Sequence, residues 1–142
     1  MSIDEDRYQE IRDGVRAVCS QFKDEYHRSI DSQRGYPEEF VKALTEAGWL
    51  SAMIPEGYRG SGLGLAEASV IMEEINRSGG NAGACHGQMY NMGTLLRHGS
   101  DEQKKQYLPA IAKGALRLQS MGVTEPTTVT YTTKIKTVAI KK

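Results

Sequence analysis

The chain has 142 residues and carries 18 basic and 18 acidic side chains, so its formal net charge is zero. A chain of this length suits one domain and can bury roughly two thirds of its unfolded surface. The balanced charge provides no net field toward phosphate backbones or anionic lipid, which argues against a nucleic-acid partner.

Charged side chains are mixed into the first twenty residues, and no apolar run reaches the roughly 18 residues that a membrane span needs. The composition therefore predicts a soluble, cytoplasmic protein with no membrane span, and leaves an organellar matrix open as the alternative. Cys19 and Cys85 form no CxxC motif, and no two histidines lie four residues apart. Two buried free thiols are expected, with neither a disulfide framework nor a metal site.

Two amphipathic patterns open the chain. Apolar residues recur at steps of three and four from Tyr8 to Tyr26, which predicts one helix from residue 4 to about residue 27, with Gly14 as its weak position. After a polar loop at 31–35, Pro37 suits the first position of a second helix that ends at Gly48.

A glycine-rich loop occupies residues 54–64. Amides without neighbouring side chains can approach an anion, so the loop invites a phosphate-cradle interpretation. It lacks the Gly-Lys-Ser/Thr close of a P-loop and the preceding strand of a dinucleotide-binding unit. A structural connector between two helices is the favoured interpretation, and the phosphate cradle is the alternative.

Three further helices are predicted. The first covers 65–76, and the second, 82–98, has apolar residues around most of its circumference and is expected to be central. The third starts at Ser100, where the Ser-x-x-Gln spacing indicates a capping box, and Pro109 is expected to end or kink it.

The pattern then changes to alternation. Residues 116–123 predict a strand, and residues 134–140 predict a second one after a turn at Glu125 and Pro126. The predicted fold is mainly α: a helical amino-terminal domain of about five to six helices, followed by one or two β-strands of an incomplete sheet. The expected domains are 1–115 and 116–142.

Four blocks of the sequence, 47–50, 54–64, 99–109 and 122–126, resemble the acyl-CoA dehydrogenase family. The resemblance covers essentially the whole chain, and the last block, Gly-Val-Thr-Glu-Pro, is the most specific. Members of that family have an all-helical amino-terminal domain, a middle β-domain and a carboxy-terminal four-helix bundle. The resemblance implies the first domain and the opening of the second.

The resemblance also implies a reaction: FAD-dependent α,β-dehydrogenation of acyl-CoA thioesters, with an electron-transfer acceptor and a homo-oligomeric assembly. The flavin site of the family lies at the end of the first strand, and the matching positions here are Met121, Val123 and Thr124. Extended backbone and a threonine hydroxyl can hydrogen-bond a planar heterocycle. The alternative for Thr124 is a hydroxyl that satisfies the turn.

On the acyl side, the resemblance implies that Thr130 presents a hydroxyl to the thioester and that the central helix helps to wall the acyl pocket. Met89, Met92 and Gly93 are the candidates on that helix, and plain core packing is the alternative for all three.

No catalytic residue is predicted. The family's glutamate base lies in or near the carboxy-terminal bundle and has no counterpart in this chain, and a base must reach its proton directly or through one water. Five glutamates are available carboxylates, and each is expected to occupy a solvated helix or loop position: Glu56, Glu67, Glu73, Glu74 and Glu125. The chain by itself is therefore expected to be inactive.

One segment departs from the family pattern. After Thr-Glu-Pro the family continues with two variable residues and then Gly-Ser/Thr-Asp, whereas this chain has Val129, Thr130 and Tyr131. If the glycine position requires a positive φ, a β-branched valine there costs on the order of 1–2 kcal/mol.

Two functions follow as hypotheses. The first is the amino-terminal part of an FAD-dependent acyl-CoA dehydrogenase. The second is a non-catalytic helical module for interaction or oligomerisation, since unpaired strand edges invite pairing.

Overall fold

A computed structural model describes residues 8–118, 122–129 and 131–141. These residues form six α-helices: α1 (Gln9–Cys19), α2 (Asp24–Ser32), α3 (Glu38–Glu46), α4 (Leu65–Arg77), α5 (Ala82–His98) and α6 (Asp101–Ala112). Short 3₁₀ turns lie at Trp49–Ser51, Glu56–Tyr58 and Thr132–Lys134. The mainly helical prediction is confirmed.

The predicted strands do not appear in the described part of the chain. Residues 119–121, in the first predicted strand, lie outside the described residues. The second, 134–140, begins in a 3₁₀ turn and continues without a hydrogen-bonded ladder. A strand takes its backbone hydrogen bonds from a neighbouring strand, and no described segment pairs with this one.

The single helix predicted over 4–27 is wrong, because the described part of that range contains α1 and α2 with a break between them; residues 4–7 are not described. Tight bonds from Gln21 N to Val18 O (3.1 Å) and from Phe22 N to Cys19 O (3.0 Å) close α1. Phe22 packs edge-to-face on Tyr26 and on Phe40 of α3, with ring centroids 5.0 and 5.2 Å apart. Phe22, which lies at the break, therefore packs against a residue of another helix. The spacing of apolar residues along the chain does not reveal this contact.

The later helix boundaries agree with the sequence to within one or two residues. The capping box of α6 is present: Gln103 N donates to Ser100 Oγ at 3.2 Å and Ser100 N donates to Gln103 Oε1 at 2.9 Å. Pro109 does not end α6, which continues to Ala112. Its last turn stays helical with Leu108, Ile111 and Ala112 buried in the core.

Two hydrophobic cores hold the helices together. The first joins α1, α3, α4 and the first half of α5. The second contains Met92 of α5, with Ile54, Leu108, Ile111 and Ala112. Helix α5 contributes to both, as its all-round apolar pattern predicts. The two cysteines are free and buried, as expected, and burial raises the pKa of Cys85 to about 12.

Gly14, the weak position of the first predicted helix, has a packing role. A Cβ at this position would overlap the indole ring of Trp49. The glycine therefore allows Trp49 to lie directly against the backbone of α1.

The glycine-rich loop is a connector. Gly60 N donates to Pro55 O at 3.2 Å, Gly62 N to Ile54 O at 2.8 Å and Leu63 N to Ala52 O at 2.8 Å. Because these amides bond to the loop itself, they are not available to a phosphate. The geometry favours the connector over the phosphate cradle.

Glu74 of α4 is buried, with only 1% of its surface exposed, so the expectation that it is solvated is wrong. Arg16 donates to it through Nε (2.7 Å) and Nη2 (2.9 Å), and Arg12 through Nη1 (2.6 Å). The hydrogen bonds from Arg16, and then those from Arg12, lower the pKa of Glu74. This charge cluster joins α1 to α4.

None of the helices in the described ranges has both the length and the apolar character of a bilayer span.

We expect Glu74→Gln to lower the free energy of unfolding by about 2–4 kcal/mol, because it removes the buried negative charge between two arginines that keep some contact with water. The matched control is Glu73→Gln, since the exposed Glu73 also accepts from Arg12, at 2.8 Å. That change is expected to cost no more than about 1 kcal/mol. Urea denaturation followed by circular dichroism measures both, and equal losses would contradict the assigned role of Glu74.

Candidate functional site

The first candidate cavity is an open groove of about 570 Å³ along one side of α5, here called the Met89 groove. Its apolar lining comes from α4, α5 and the loop before α4, and includes Met53, Leu63, Leu65, Met89, Tyr90 and Gly93. A smaller pocket of about 310 Å³ adjoins it and shares Met53, Leu65, Met89 and Tyr90. Methionine-lined grooves adapt to apolar ligands of irregular shape.

The second candidate cavity is an open groove of about 620 Å³ between α5, the start of α6 and the chain that follows α6, here called the Val123 groove. Polar groups from Asn91, Thr94 and Gln103 line it together with the backbone at Gly122 and Val123. A Cβ at Gly122 would meet nothing within 4 Å. The groove is therefore open at that point.

The two grooves meet on α5. Thr94 and His98, one helical turn apart, line both of them. Both residues are exposed. A ligand in one groove would consequently lie next to a ligand in the other.

Among the predicted acyl-side residues, Met89 and Gly93 lie together in the Met89 groove. Met92 is fully buried in the second core and belongs to the lining of neither groove. Thr130 lies outside the described residues. Met89 is only 3% exposed, so it closes the bottom of the groove rather than its rim.

Among the predicted flavin-side residues, Val123 lines the second groove, and the neighbouring Thr124 is exposed. Met121 is not described. Within the described residues, the backbone of 122–124 makes no hydrogen bond to another element.

Sequence reasoning did not nominate Thr94 and His98, which line both grooves, and it also missed Tyr90 and Asn91. Tyr90 lines the Met89 groove and packs at a tilt against His86, with ring centroids 4.9 Å apart; their spacing of four residues was a usable signal. Asn91 lines the Val123 groove and donates from Nδ2 to Leu118 O at 2.6 Å. That contact spans 27 residues of sequence, so no local pattern could have revealed it.

Glu125 lies in a partly exposed loop position, as expected, but its carboxylate is engaged in hydrogen bonds. It accepts backbone bonds from Lys136 N at 2.9 Å and Thr137 N at 2.7 Å, and the Thr137 hydroxyl also donates to it. These bonds, that from Lys136 foremost, lower the pKa of Glu125. The chain after the 3₁₀ turn is thereby tied to the residue next to Thr124.

Val129 has a positive φ of +45°, which is the conformation that would make a valine unfavourable at this position. Left-handed backbone suits glycine and is unfavourable for a β-branched residue. The turn around it is closed by bonds from Val129 N to Glu125 O at 3.0 Å and from Tyr131 N to Thr128 O at 2.8 Å. Its side chain is 61% exposed and gains little from packing.

The other three glutamates considered above, Glu56, Glu67 and Glu73, are not placed for proton transfer. Glu67 accepts from Gly64 N at 3.0 Å and caps α4, and Glu73 pairs with Arg12. Glu56 is exposed in a 3₁₀ turn and lines neither groove. Across the described ranges, no group of three or more His, Cys, Asp or Glu side chains could hold a metal ion.

Residues 5–115 match the family described as acyl-CoA dehydrogenase, N-terminal domain. The chain belongs to the acyl-CoA dehydrogenase family. It is 30% identical over 138 residues to the acyl-CoA dehydrogenase FadE12 of Mycobacterium tuberculosis, an alignment that covers 96% of this chain and 35% of that protein. It is 36% identical over 106 residues to the mitochondrial isovaleryl-CoA dehydrogenase of Pongo abelii, covering 73% of this chain and 25% of that one. This acyl-CoA dehydrogenase N-terminal domain and the residues after it thus span about a third of the length of the curated relatives.

The Glu125 contacts predict that the attachment of residues 136 and 137 to Glu125 depends on pH. The folded-state pKa of Glu125 is lowered, so these bonds are fully present above the usual glutamate pKa of about 4.3 and are lost as the pH falls through the lower, folded-state value. We expect the Lys136 and Thr137 amide resonances to titrate together with an apparent pKa below 4.3 in an NMR series from neutral pH downward. Glu125→Gln should abolish that titration and Glu56→Gln should leave it intact. A titration at the ordinary glutamate pKa would refute the contact.

The φ of Val129 predicts a gain from glycine. We expect Val129→Gly to slow hydrogen exchange at the amides of residues 129 and 131 by a few-fold up to about tenfold, as relief of 1–2 kcal/mol of strain is partly offset by the entropy of glycine. Val129→Ala keeps a Cβ at positive φ and should gain much less. Equal effects of glycine and alanine would contradict the strain argument.

Proposed function

We propose that this chain is the amino-terminal part of an FAD-dependent acyl-CoA dehydrogenase, which carries out the α,β-dehydrogenation of acyl-CoA thioesters. Family membership supports the reaction class. The observation that carries the proposal is that Thr94 and His98 line both grooves, so that a cofactor and a substrate would be neighbours across one turn of α5. Such proximity is what a hydride transfer between them requires.

On the cofactor side, the backbone of 122–124 and the Thr124 hydroxyl would hold the flavin ring. A bound flavin supplies the acceptor for the hydride that leaves the β carbon of the thioester. The chain's own contribution would be orientation: the backbone of 122–124 would offer amides and carbonyls to the ring, and the Thr124 hydroxyl would be available to donate to a ring nitrogen. The open space at Gly122 supports the approach of a flat group.

On the substrate side, the acyl chain would lie in the Met89 groove. Its lining by Met53, Leu65 and Met89 supports an apolar ligand, and the adjoining pocket extends the same surface. Burial of the acyl chain there would remove apolar surface from water, which stabilises the complex by roughly 25 cal/mol for each Å² buried. The side chains of α5 that line the groove would set how deeply the chain enters.

None of the glutamates that could serve as the base is placed for the proton step. Glu67, Glu74 and Glu125 are committed to structural contacts, and a base must reach the α proton directly or through one water. We therefore propose that the base, the rest of the sheet and the subunit contacts of a homo-oligomer come from sequence beyond these 142 residues. An electron-transfer acceptor would reoxidise the cofactor. Residues 116–142 would be the opening of the middle β-domain.

A second candidate function is a non-catalytic interaction or oligomerisation module. The observation in its favour is the extended segment after the 3₁₀ turn, in which Val138 and Ile140 are 74% and 79% exposed. Exposed extended backbone with apolar side chains tends to pair with another strand. This candidate predicts self-association without any response to flavin or acyl-CoA.

One titration separates the two candidates. We expect the purified chain to be colourless and to reduce no electron acceptor with short-, medium- or long-chain acyl-CoA. Excess FAD should nevertheless shift the amide resonances of Gly122, Val123 and Thr124 saturably. Thr124→Val should weaken that response several-fold, while Thr127→Val, an exposed threonine of the same turn, should not.

Measurable turnover by the chain would contradict the absence of a base. A folded chain whose residues 122–124 ignore FAD would contradict the cofactor role, and concentration-dependent self-association in that case would favour the interaction module.

A further inference from the structure

The chain that leaves α6 is held against the helices by two polar side chains. Arg117 donates from Nη1 to Glu38 Oε1 at 2.8 Å, and its guanidinium lies 5.8 Å from the centre of the Tyr36 ring. Asn91 donates from Nδ2 to Leu118 O at 2.6 Å. These contacts, here called the 117–118 latch, join residues 117 and 118 to α3, to α5 and to the loop before α3.

The latch contacts are long-range, unlike most side-chain bonds on these helices. The Arg117 bond spans 79 residues of sequence and the Asn91 bond spans 27. Asn76, another helical asparagine, donates instead to Met72 O in its own helix, at 3.1 Å. The latch therefore fixes the position of one segment relative to others, where a bond within a helix fixes only that helix.

The latch lies at the Val123 groove itself. Asn91 and Leu118 both belong to the groove lining, so the bond between them joins the α5 wall to the wall that carries Gly122 and Val123. Leu116, just before the latch, packs on the second core. From Leu116 to Leu118 the chain is thus fixed by one apolar and two polar contacts, and only a short stretch separates it from Gly122.

We propose that Asn91 and Arg117 are positioning residues for the cofactor groove: by holding residues 117 and 118, they set where the backbone at 122–124 stands relative to α5. This inference rests on the proposed function for its ligand, a flavin. The ion pair joins a partly buried Arg117 to an exposed Glu38, and a pair with an exposed partner adds little to stability, about 0–1 kcal/mol. The ion pair matters instead because it positions residue 117, since a binding site loses affinity when its parts shift by roughly half an ångström.

The test compares Asn91→Ala with Asn76→Ala in the 142-residue chain. Both changes remove a side-chain amide from a helix and gain the same helix propensity, but only the first cuts the latch. Arg117→Leu is an independent second variant in a loop, and the double change Arg117→Glu with Glu38→Arg restores opposite charges. The readouts are backbone order parameters from NMR relaxation, the FAD response at residues 122–124, and the melting temperature.

We expect the order parameters of Leu118, Gly122 and Val123 to fall from about 0.85 toward 0.6 in Asn91→Ala and in Arg117→Leu, with α5 and α6 unchanged. FAD affinity should fall about tenfold in both variants, the charge swap should recover part of the Arg117 loss, and Asn76→Ala should match the wild type. The melting temperature of Asn91→Ala should stay within a few degrees of Asn76→Ala.

Unchanged order parameters in both latch variants would overturn the proposal. A looser segment with undiminished FAD affinity would also overturn it, since the contacts would then be structural only. If the wild type shows no FAD response, the proposed function fails separately. In that case the order parameters alone test whether the latch positions residues 122–124.

Discussion

Helix α5 is the wall that both hydrophobic cores share, and the rest of the structure is arranged around it. Its first half packs with α4 in the first core, and Met92 packs with α6 in the second. Seven residues of α5 are buried, and most of its residues that line the grooves, among them Tyr90, Thr94 and His98, remain partly or fully exposed. Both candidate grooves lie along α5. The position of the candidate site is therefore a consequence of core packing, and a ligand on α5 meets a surface that cannot move without disturbing two cores.

Electrostatics restrict the chemistry of this domain. The buried carboxylate of Glu74 accepts three charge-assisted hydrogen bonds, one from Arg12 and two from Arg16, and these bonds join α1 to α4. Helix α4 in turn supplies Leu65 to the Met89 groove. Glu67 and Glu125 bind backbone amides. The hydrogen bonds to Glu74 and Glu125 stabilise their charged forms and lower their pKa values, which makes these two carboxylates poor proton acceptors at neutral pH. The three glutamates thus serve structural contacts.

The segment after α6 joins family-like and divergent features. There is open space beside Gly122, and the contacts of the latch and of Glu125 lie on either side of residues 122–124. A few residues later, Val129 takes a glycine conformation without being glycine. The sequence predicted that valine would be unfavourable here if the position required a positive φ, and the φ of Val129 is indeed positive. The left-handed backbone at Val129 thus has a local energetic cost.

The sequence by itself determined the features that depend on near neighbours. The limits of α4, α5 and α6 follow from apolar periodicity and from caps such as Ser100 with Gln103, whose interactions span three or four residues. The family and the candidate segment 122–124 follow from contiguous motifs. Only the tertiary structure decided the break between α1 and α2, the burial of Glu74, the placement of Met92 in the core and the bond from Asn91 to Leu118. Each depends on partners in other elements, and residues 134–140 form no ladder because a strand is made by its neighbour. Local patterns report the energy of a turn or a cap, whereas burial and pairing are set by residues that only folding brings together.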